Sequence, residues 1–184
     1  FKEGIKKEIK IMHEEATKFL VNKKIPIKQS DTETAYDSSM NTIFVAQKHL
    51  KPGTLAHEVG HALVDKNNLY ENEELATIMK NVVANAKYTV KKKDDEYFIY
   101  LHSDKFVRNY QGKTYINVTK KYKNLKKGEH LKIGTFDYRK LEEYVSVGYE
   151  TFVSNPQLLY DKDKELCDFF KKGGLFNEVT KGKK

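Results

Sequence analysis

Apolar side chains recur every three or four positions over residues 2–21, with charged residues between them. In a helix this spacing places the apolar side chains on one face, so the pattern predicts an amphipathic helix that ends at Asn22–Lys24. The predicted face consists of Ile5, Ile9, Met12, Ala16, Phe19 and Leu20. The same periodicity predicts further helices over residues 54–64, 72–87, 138–154 and 163–172.

Short strands are predicted where β-branched and aromatic residues cluster. The first is Thr42–Ala46, which follows an extended segment around Pro26 and a turn-rich stretch over residues 29–41. Between residues 88 and 139, more strand patterns are separated by glycines, at residues 88–90, 97–101, 114–118 and 130–133. We therefore predict a single α+β domain over residues 1–184, with a small β-rich insertion at residues 88–139.

The helix predicted over residues 54–64 contains a His-Glu-x-x-His motif at His57, Glu58 and His61. Residues four apart lie on one helix face, so the two imidazoles can bind one metal ion. Imidazoles suit zinc, which in catalytic sites has three protein ligands and one open position. Glu58 lies beside such an ion, where a general base for an activated water is needed. The motif therefore predicts a catalytic Zn²⁺ site.

The residues around the motif are apolar or small, and Thr54 is the predicted N-cap of this helix. We therefore expect the helix to be largely buried. Burying two histidines and a glutamate without partners would cost several kcal/mol, which favours a metal site over a chance occurrence on a solvated face. Gly60 costs about 1 kcal/mol relative to alanine within a helix, so we expect another element to pass close to it.

Two histidines need a third protein ligand, and position 67, where one metallopeptidase class has a third histidine, is Asn67. The later helix over residues 138–154 offers three glutamates instead. Glu143 is followed by small residues three and five positions later, which would let this helix pack on the motif helix. We therefore rank Glu143 ahead of Glu150 as the third ligand. The other glutamate is then expected to hydrogen-bond a ligand histidine or to lie on the helix surface. The three candidates are Glu142, Glu143 and Glu150.

The formal net charge is +8, and much of it lies in lysine runs at residues 91–93, 120–121, 126–127, 171–172 and 181–184. An anionic partner such as nucleic acid is the functional interpretation of such runs. These runs are spread over several loops, without an arginine-rich helix or a nucleic-acid motif. We therefore interpret them as a solvated surface and expect no nucleic-acid partner. No apolar run approaches the length of a membrane span.

Cys167 is the only cysteine, so the sequence predicts neither an internal disulfide nor a cysteine-based zinc site. The sequence begins at Phe1 and shows no signal-like apolar region. We expect a processed product or a piece of a longer polypeptide. The sequence leaves the compartment open, with secretion and association with a virion among the options.

Two stretches carry a resemblance to a known family. In the first, Tyr36–Ala46 is followed by Leu55–Leu63, giving a turn, a strand, a Gly/Pro connection and His-Glu-x-Gly-His-Ala. The second, Glu143–Tyr149, has a glutamate, small residues at the third and fifth following positions and an aromatic at the sixth. The chain thus resembles the zincin metallopeptidases, particularly the anthrax lethal factor-type catalytic domain and its phage-encoded relatives. The resemblance implies a zincin-like fold and supports Glu143 as a zinc ligand over Glu150.

A second similarity is to a region of some phage minor head proteins, and the matching segments are Asp104–Tyr115, Glu143–Pro156 and Asp163–Phe170. The sequence departs from the zincin family at Phe136, where the family has a tyrosine that steadies the tetrahedral intermediate. Tyr110 lies in the turn most similar to the family's tyrosine-containing turn, and Tyr138 is the other candidate. Either tyrosine could instead belong to the core or the surface of the β-rich segment.

The sequence as a whole predicts a zinc-dependent endopeptidase acting on a peptide or protein substrate. His57, His61 and Glu143 are the predicted metal ligands, Glu58 is the predicted general base and Tyr110 the predicted oxyanion donor. Thr42–Ala46 is expected to align the substrate through a free strand edge. The alternative is a catalytically silent zincin-fold module that serves assembly or binding in a phage or toxin protein.

Overall fold

The computed structural model describes residues 1–117 and 136–180. Helices there are α1 (Lys2–Ile11), α2 (Glu14–Asn22), α3 (Thr54–Lys66), α4 (Glu73–Asn85), α5 (Glu142–Ser154), α6 (Pro156–Lys162) and α7 (Lys164–Lys171). Strands there are β1 (Ile27–Ser30), β2 (Ala35–Asp37), β3 (Thr42–Ala46), β4 (Lys87–Lys93), β5 (Glu96–His102) and β6 (Lys113–Asn117). This mixture of helix and sheet agrees with the predicted α+β class. No helix in these ranges is both long and apolar enough to cross a membrane.

The single helix predicted over residues 2–21 is wrong, because the chain forms α1 and α2 with a break between them. Met12 and His13 both have extended backbone conformations. Met12 is buried at this junction, so the apolar pattern continues although the helix does not. The acidic first turn of α2, at Glu14 and Glu15, favours a new helix N-terminus.

The first sheet has the strand order β1-β3-β2. β3 pairs in parallel with β1 and antiparallel with β2, and Ile43 is opposite Ile27 on one side and Tyr36 on the other. The predicted strand Thr42–Ala46 is therefore correct, but its predicted free edge is wrong. The edges are β1 and β2, and β2 is a short strand within the stretch predicted as turns. Asp37 closes the β2–β3 connection by accepting hydrogen bonds from two backbone N–H groups of the turn.

The motif helix α3 packs directly on α5. A Cβ atom added to Gly60 would lie 2.8 Å from the Cα atom of Ser146, so the predicted close approach at Gly60 is confirmed. The second small residue of α5, Gly148, instead faces α7, where an added Cβ would lie 2.6 Å from Leu166 Cδ2. The contact between Gly60 and Ser146 therefore determines the distance between the first turn of α5 and the His-Glu-x-x-His motif.

The N-terminus of α3 is held differently from the prediction. Its N-cap is Gly53, at φ 95°, rather than Thr54. The Thr54 hydroxyl donates to the His49 carbonyl and accepts from a backbone N–H. From α1, the buried carboxylate of Glu8 accepts the N–H of Leu55 at 3.0 Å. A carboxylate at this end of a helix is favourable because unsatisfied N–H groups and the helix dipole meet there.

The second sheet has the order β4-β5-β6, and all of its described neighbours are antiparallel. The strands predicted at residues 88–90 and 97–101 are thus confirmed, and so is the one predicted at residues 114–118 as far as Asn117. Residue 118 and the strand predicted at residues 130–133 lie outside the described residues. One face of the sheet buries Ile99, Leu101 and Thr114. Between β5 and β6, a 3-10 turn at Asn109–Gly112 contacts α5. The insertion is therefore attached to the helix that carries Glu143.

The C-terminal helices agree with the prediction except at α6, which was not predicted. Helix α5 ends at Ser154, as the pattern over residues 138–154 predicted, and Pro156 occupies the first turn of a new helix, where its missing N–H costs nothing. Asp163 then caps α7 by accepting the N–H of Leu166. These helices pack behind α5 and fix its position.

Candidate metal centre

Three side chains from two helices converge at the contact between α3 and α5. His57 and His61 lie one turn apart on α3, and Glu143 lies in the first turn of α5. The Oε2 atom of Glu143 is 3.1 Å from His57 Nε2 and 3.3 Å from His61 Nε2. Ligands bonded to tetrahedral zinc at about 2.0–2.1 Å lie about 3.3 Å from one another. The spacing of these three donor atoms therefore fits a zinc ion.

The hydrogen bonds of His57 call for a cation between these donors. Its Nδ1 atom lies 3.0 Å from Glu150 Oε2, which indicates a proton on Nδ1. In a neutral imidazole, Nε2 then carries a lone pair that faces the carboxylate of Glu143 at 3.1 Å. Two lone pairs at that distance repel unless a proton or a metal ion lies between them. The polarity of the cluster, as well as its spacing, therefore fits a metal ion.

The carboxylates around His57 also favour positive charge at this point. Burial lowers the pKa of His57, but Glu143 and Glu150 outweigh burial and raise it to about 9. Burial raises the pKa of Glu143, yet hydrogen bonds from His57 and His61 outweigh burial and hold that pKa well below its usual range. A metal ion could take the place of the proton on Nε2, since metal binding to imidazole releases protons.

Glu150, the second-ranked ligand candidate, lies on the other side of His57. Its Oε2 atom accepts from Arg108 at 2.6 Å, and its Oε1 atom accepts from the same guanidinium at 3.2 Å. This two-point contact directs the carboxylate toward His57 Nδ1 and away from His61. The structure thus places Glu143 with the two Nε2 atoms, and Glu150 where it orients an imidazole.

Glu58 borders the same cluster and is held by the edge strand. Its Oε2 atom accepts the backbone N–H of Tyr36 at 2.8 Å. Burial raises the pKa of Glu58, and the nearby His57 and His61 partly offset this rise. A carboxylate with a raised pKa is a better proton acceptor near neutral pH than one on the surface. Its position and basicity fit the predicted role of a general base.

Two tyrosines reach the cluster from the insertion. The Tyr115 hydroxyl donates to Glu143 Oε1 at 2.6 Å, and the Tyr110 hydroxyl lies 3.2 Å from that of Tyr115. Burial raises the pKa of both hydroxyls, which therefore stay protonated at neutral pH. Tyr138 does not join them, because its buried hydroxyl donates to the carbonyl of Tyr70. Of the predicted oxyanion donors, only Tyr110 lies at the cluster.

An open cleft of about 610 Å³ exposes these groups to solvent. A second cavity of about 530 Å³ continues on the other side of His57. Four residues line both cavities. They are Thr34, which precedes β2, His57 and Glu58 of the motif, and Tyr110 of the insertion. The cleft thus runs past the cluster in two directions and can receive an extended chain.

Sequence reasoning missed three parts of this site: Arg108, Tyr115 and the backbone N–H of Tyr36. Tyr115 occupies a predicted strand, but no signal in the sequence shows which face it takes, because the burial of its polar neighbour Thr114 is evident only in the structure. No local signal pairs Arg108 with Glu150, because 42 positions separate them along the chain.

No protein family, no curated protein and no solved structure matches the chain. The resemblance to the zincins and the roles of the site residues therefore stay predictions.

Proposed function

We propose that this chain is a zinc-dependent endopeptidase with a zincin-like fold. The observation that carries the proposal is the convergence of His57, His61 and Glu143 at one point of an open cleft. Two imidazoles and one carboxylate are a common ligand set of catalytic zinc, which keeps a fourth position for water or substrate. The neighbouring Glu58 supplies the base that hydrolysis requires.

When bound, zinc would lower the pKa of a coordinated water from about 15.7 towards 7 and polarise the substrate carbonyl. His57 and His61 would hold it through Nε2, and Glu143 through Oε2. Glu58 accepts the proton of the attacking water and later delivers it to the leaving amine. The Tyr36 N–H fixes one oxygen of Glu58, so that the other is free for the proton.

Tyr115 and Tyr110 have different roles in the proposed reaction. Tyr115 holds Glu143 in place through its hydrogen bond to Oε1. The Tyr110 hydroxyl donates to the oxyanion that forms when water adds to the carbonyl. One well-placed donor of this kind contributes about 2.7–4 kcal/mol to transition-state stability.

The substrate is a peptide in extended conformation. It lies along β2, because β3 is the central strand of the first sheet and, of the two edge strands, β2 borders the cleft. The N–H of Tyr36 is bound to Glu58, so the peptide pairs with the remaining backbone groups of this edge, and such backbone hydrogen bonds accept many sequences. The two cavities then hold the parts of the substrate that precede and follow the cleaved bond.

The test is a digest of a peptide library by the zinc-loaded protein, analysed by mass spectrometry with and without a chelator. We expect cleavage that the chelator abolishes and that added zinc restores. Glu58→Gln should bind zinc normally and lose cleavage by at least about 100-fold, as expected for loss of a general base. Glu142→Gln changes an exposed glutamate beside the cleft in the same way and should cleave normally.

Cleavage by Glu58→Gln at the rate of the parent protein would refute the assignment of the base. A library left intact at every zinc concentration would refute the peptidase itself. That second outcome would favour the silent binding module.

A further inference from the structure

The outward face of the second sheet is rich in lysine and aromatic side chains. Strand pairing places Lys91 opposite Phe98, and Lys113 opposite Tyr100. Side chains alternate between the two faces of a strand, so these residues lie opposite the buried Ile99. We define the lysine–tyrosine face as Lys91, Lys93, Phe98, Tyr100, Lys113 and Tyr115.

A cavity of about 420 Å³ lies on this face. Its lining includes four lysines against two acidic residues, Asp94 and Glu96, so its charge is positive. Lys91 Nζ and Lys113 Nζ each lie 4.4 Å from the centre of a tyrosine ring. Within residues 1–117 and 136–180, neither ammonium group has a carboxylate within ion-pair distance, in contrast to Lys92 with Asp95. These cations remain available to an anionic ligand.

Tyr115 connects the face to the candidate metal centre. It lines both the cavity and the cleft, and its hydroxyl donates to Glu143 at 2.6 Å. A ligand on the face therefore lies one side chain away from a peptide bound in the cleft. A single extended chain can occupy both, since each residue of an extended strand advances about 3.3 Å.

We propose that the lysine–tyrosine face binds an acidic segment of the same polypeptide that is cleaved at the metal centre. This inference rests on the proposed peptidase function. Ammonium groups bind carboxylates as point charges, and the rings of Phe98 and Tyr100 pack against the aliphatic parts of such a segment. Nucleic acid fits the face less well, because its binding depends on many phosphate contacts along a basic stripe.

Binding is tested first, without cleavage, using the Glu58→Gln protein and a fluorescein-labelled oligoglutamate peptide at low ionic strength. We expect saturable binding by fluorescence anisotropy. Replacing Lys91 and Lys93 by alanine together should weaken binding about three- to tenfold, because two exposed charge contacts are lost. The matched control replaces Lys7 and Lys10 on α1, which are also exposed lysines, and should change binding less than twofold.

Turnover is tested next with the active protein and one cleaved library peptide carrying a glutamate, glutamine or lysine extension. The glutamate extension should raise kcat/KM over the glutamine extension, mainly through KM, and the Lys91/Lys93 double variant should lose this gain. The glutamine peptide should be cleaved equally by that variant and its parent, which shows that the metal centre is intact.

Three results would overturn the inference. The first is an equal loss of oligoglutamate binding in the Lys7/Lys10 control, which would show that binding depends only on the net charge of the protein. The second is a higher kcat/KM for the glutamate extension than for the glutamine extension that persists in the Lys91/Lys93 double variant. The third is tighter binding at this face of a single-stranded oligonucleotide than of oligoglutamate at the same ionic strength. If no peptide is cleaved at all, the proposed function fails while the anisotropy experiment still decides whether the face binds acidic peptides.

Discussion

We expect the contact between Gly60 and Ser146 to couple helix packing to the proposed metal binding, and Gly60→Ala tests this coupling. The added methyl group would lie 2.8 Å from a backbone atom of α5. Carbon atoms pack at about 3.5–4.0 Å, so α5 must move away by about 1 Å. Glu143 precedes Ser146 by one helical turn and must move with it. Metal ligands tolerate displacements of only about 0.2 Å, so zinc affinity should fall by about tenfold or more.

The matched control is Gly4→Ala on α1, which gives the same gain in helix propensity, about 0.5–1 kcal/mol. There the added methyl would meet only the end of a flexible side chain, Leu50 Cδ1, at 2.9 Å. Overpacking a rigid contact costs about 1–3 kcal/mol, so Gly60→Ala should be less stable than Gly4→Ala by about that amount.

Urea unfolding of the two alanine variants measures the difference in the free energy of unfolding, and competition with a fluorescent chelator measures zinc affinity. A Gly60→Ala protein as stable as the Gly4→Ala protein, with the zinc affinity of the parent, would refute the coupling between the helix contact and the metal centre.

Two further predictions concern groups that support the motif helix from outside the cluster. Glu150→Gln weakens the hydrogen bond that orients His57, so zinc affinity should fall by about 10–100-fold. An unchanged zinc affinity would contradict the orienting role of Glu150. Glu8→Ala leaves the buried N–H of Leu55 without its acceptor and should lower the free energy of unfolding by about 1–3 kcal/mol in urea. Glu8→Gln, which keeps an acceptor oxygen, should lose less, and equal losses would contradict the capping contact.

The parts of the site that lie within one helix could be predicted from the sequence. The spacing of His57 and His61 determines that both imidazoles share a face, because the helix repeat is fixed. Gly60 indicated a close contact because glycine within a helix is costly without one. The small residues after Glu143 correctly suggested which helix makes that contact, although only Ser146 faces α3.

The parts that depend on tertiary pairing could not be predicted. The pattern of Thr42–Ala46 indicates a strand but carries no information about which neighbours it pairs with, so the edge was assigned to β3 instead of β2. Tyr115 was missed for the same reason. The position of Tyr115 depends on strand register and on how the insertion packs against α5. The break at Met12–His13 was missed because both sides keep the same apolar face.

Zinc titration of the metal-free protein tests whether His57, His61 and Glu143 bind one zinc ion. We expect one zinc per chain. Glu143→Ala should weaken binding by about 100-fold or more, since loss of an outer partner alone costs about 10–100-fold. The neighbouring Glu142→Ala should leave affinity unchanged. Zinc binding that is equally strong in Glu143→Ala and the parent protein, or no zinc binding at all, would contradict the account.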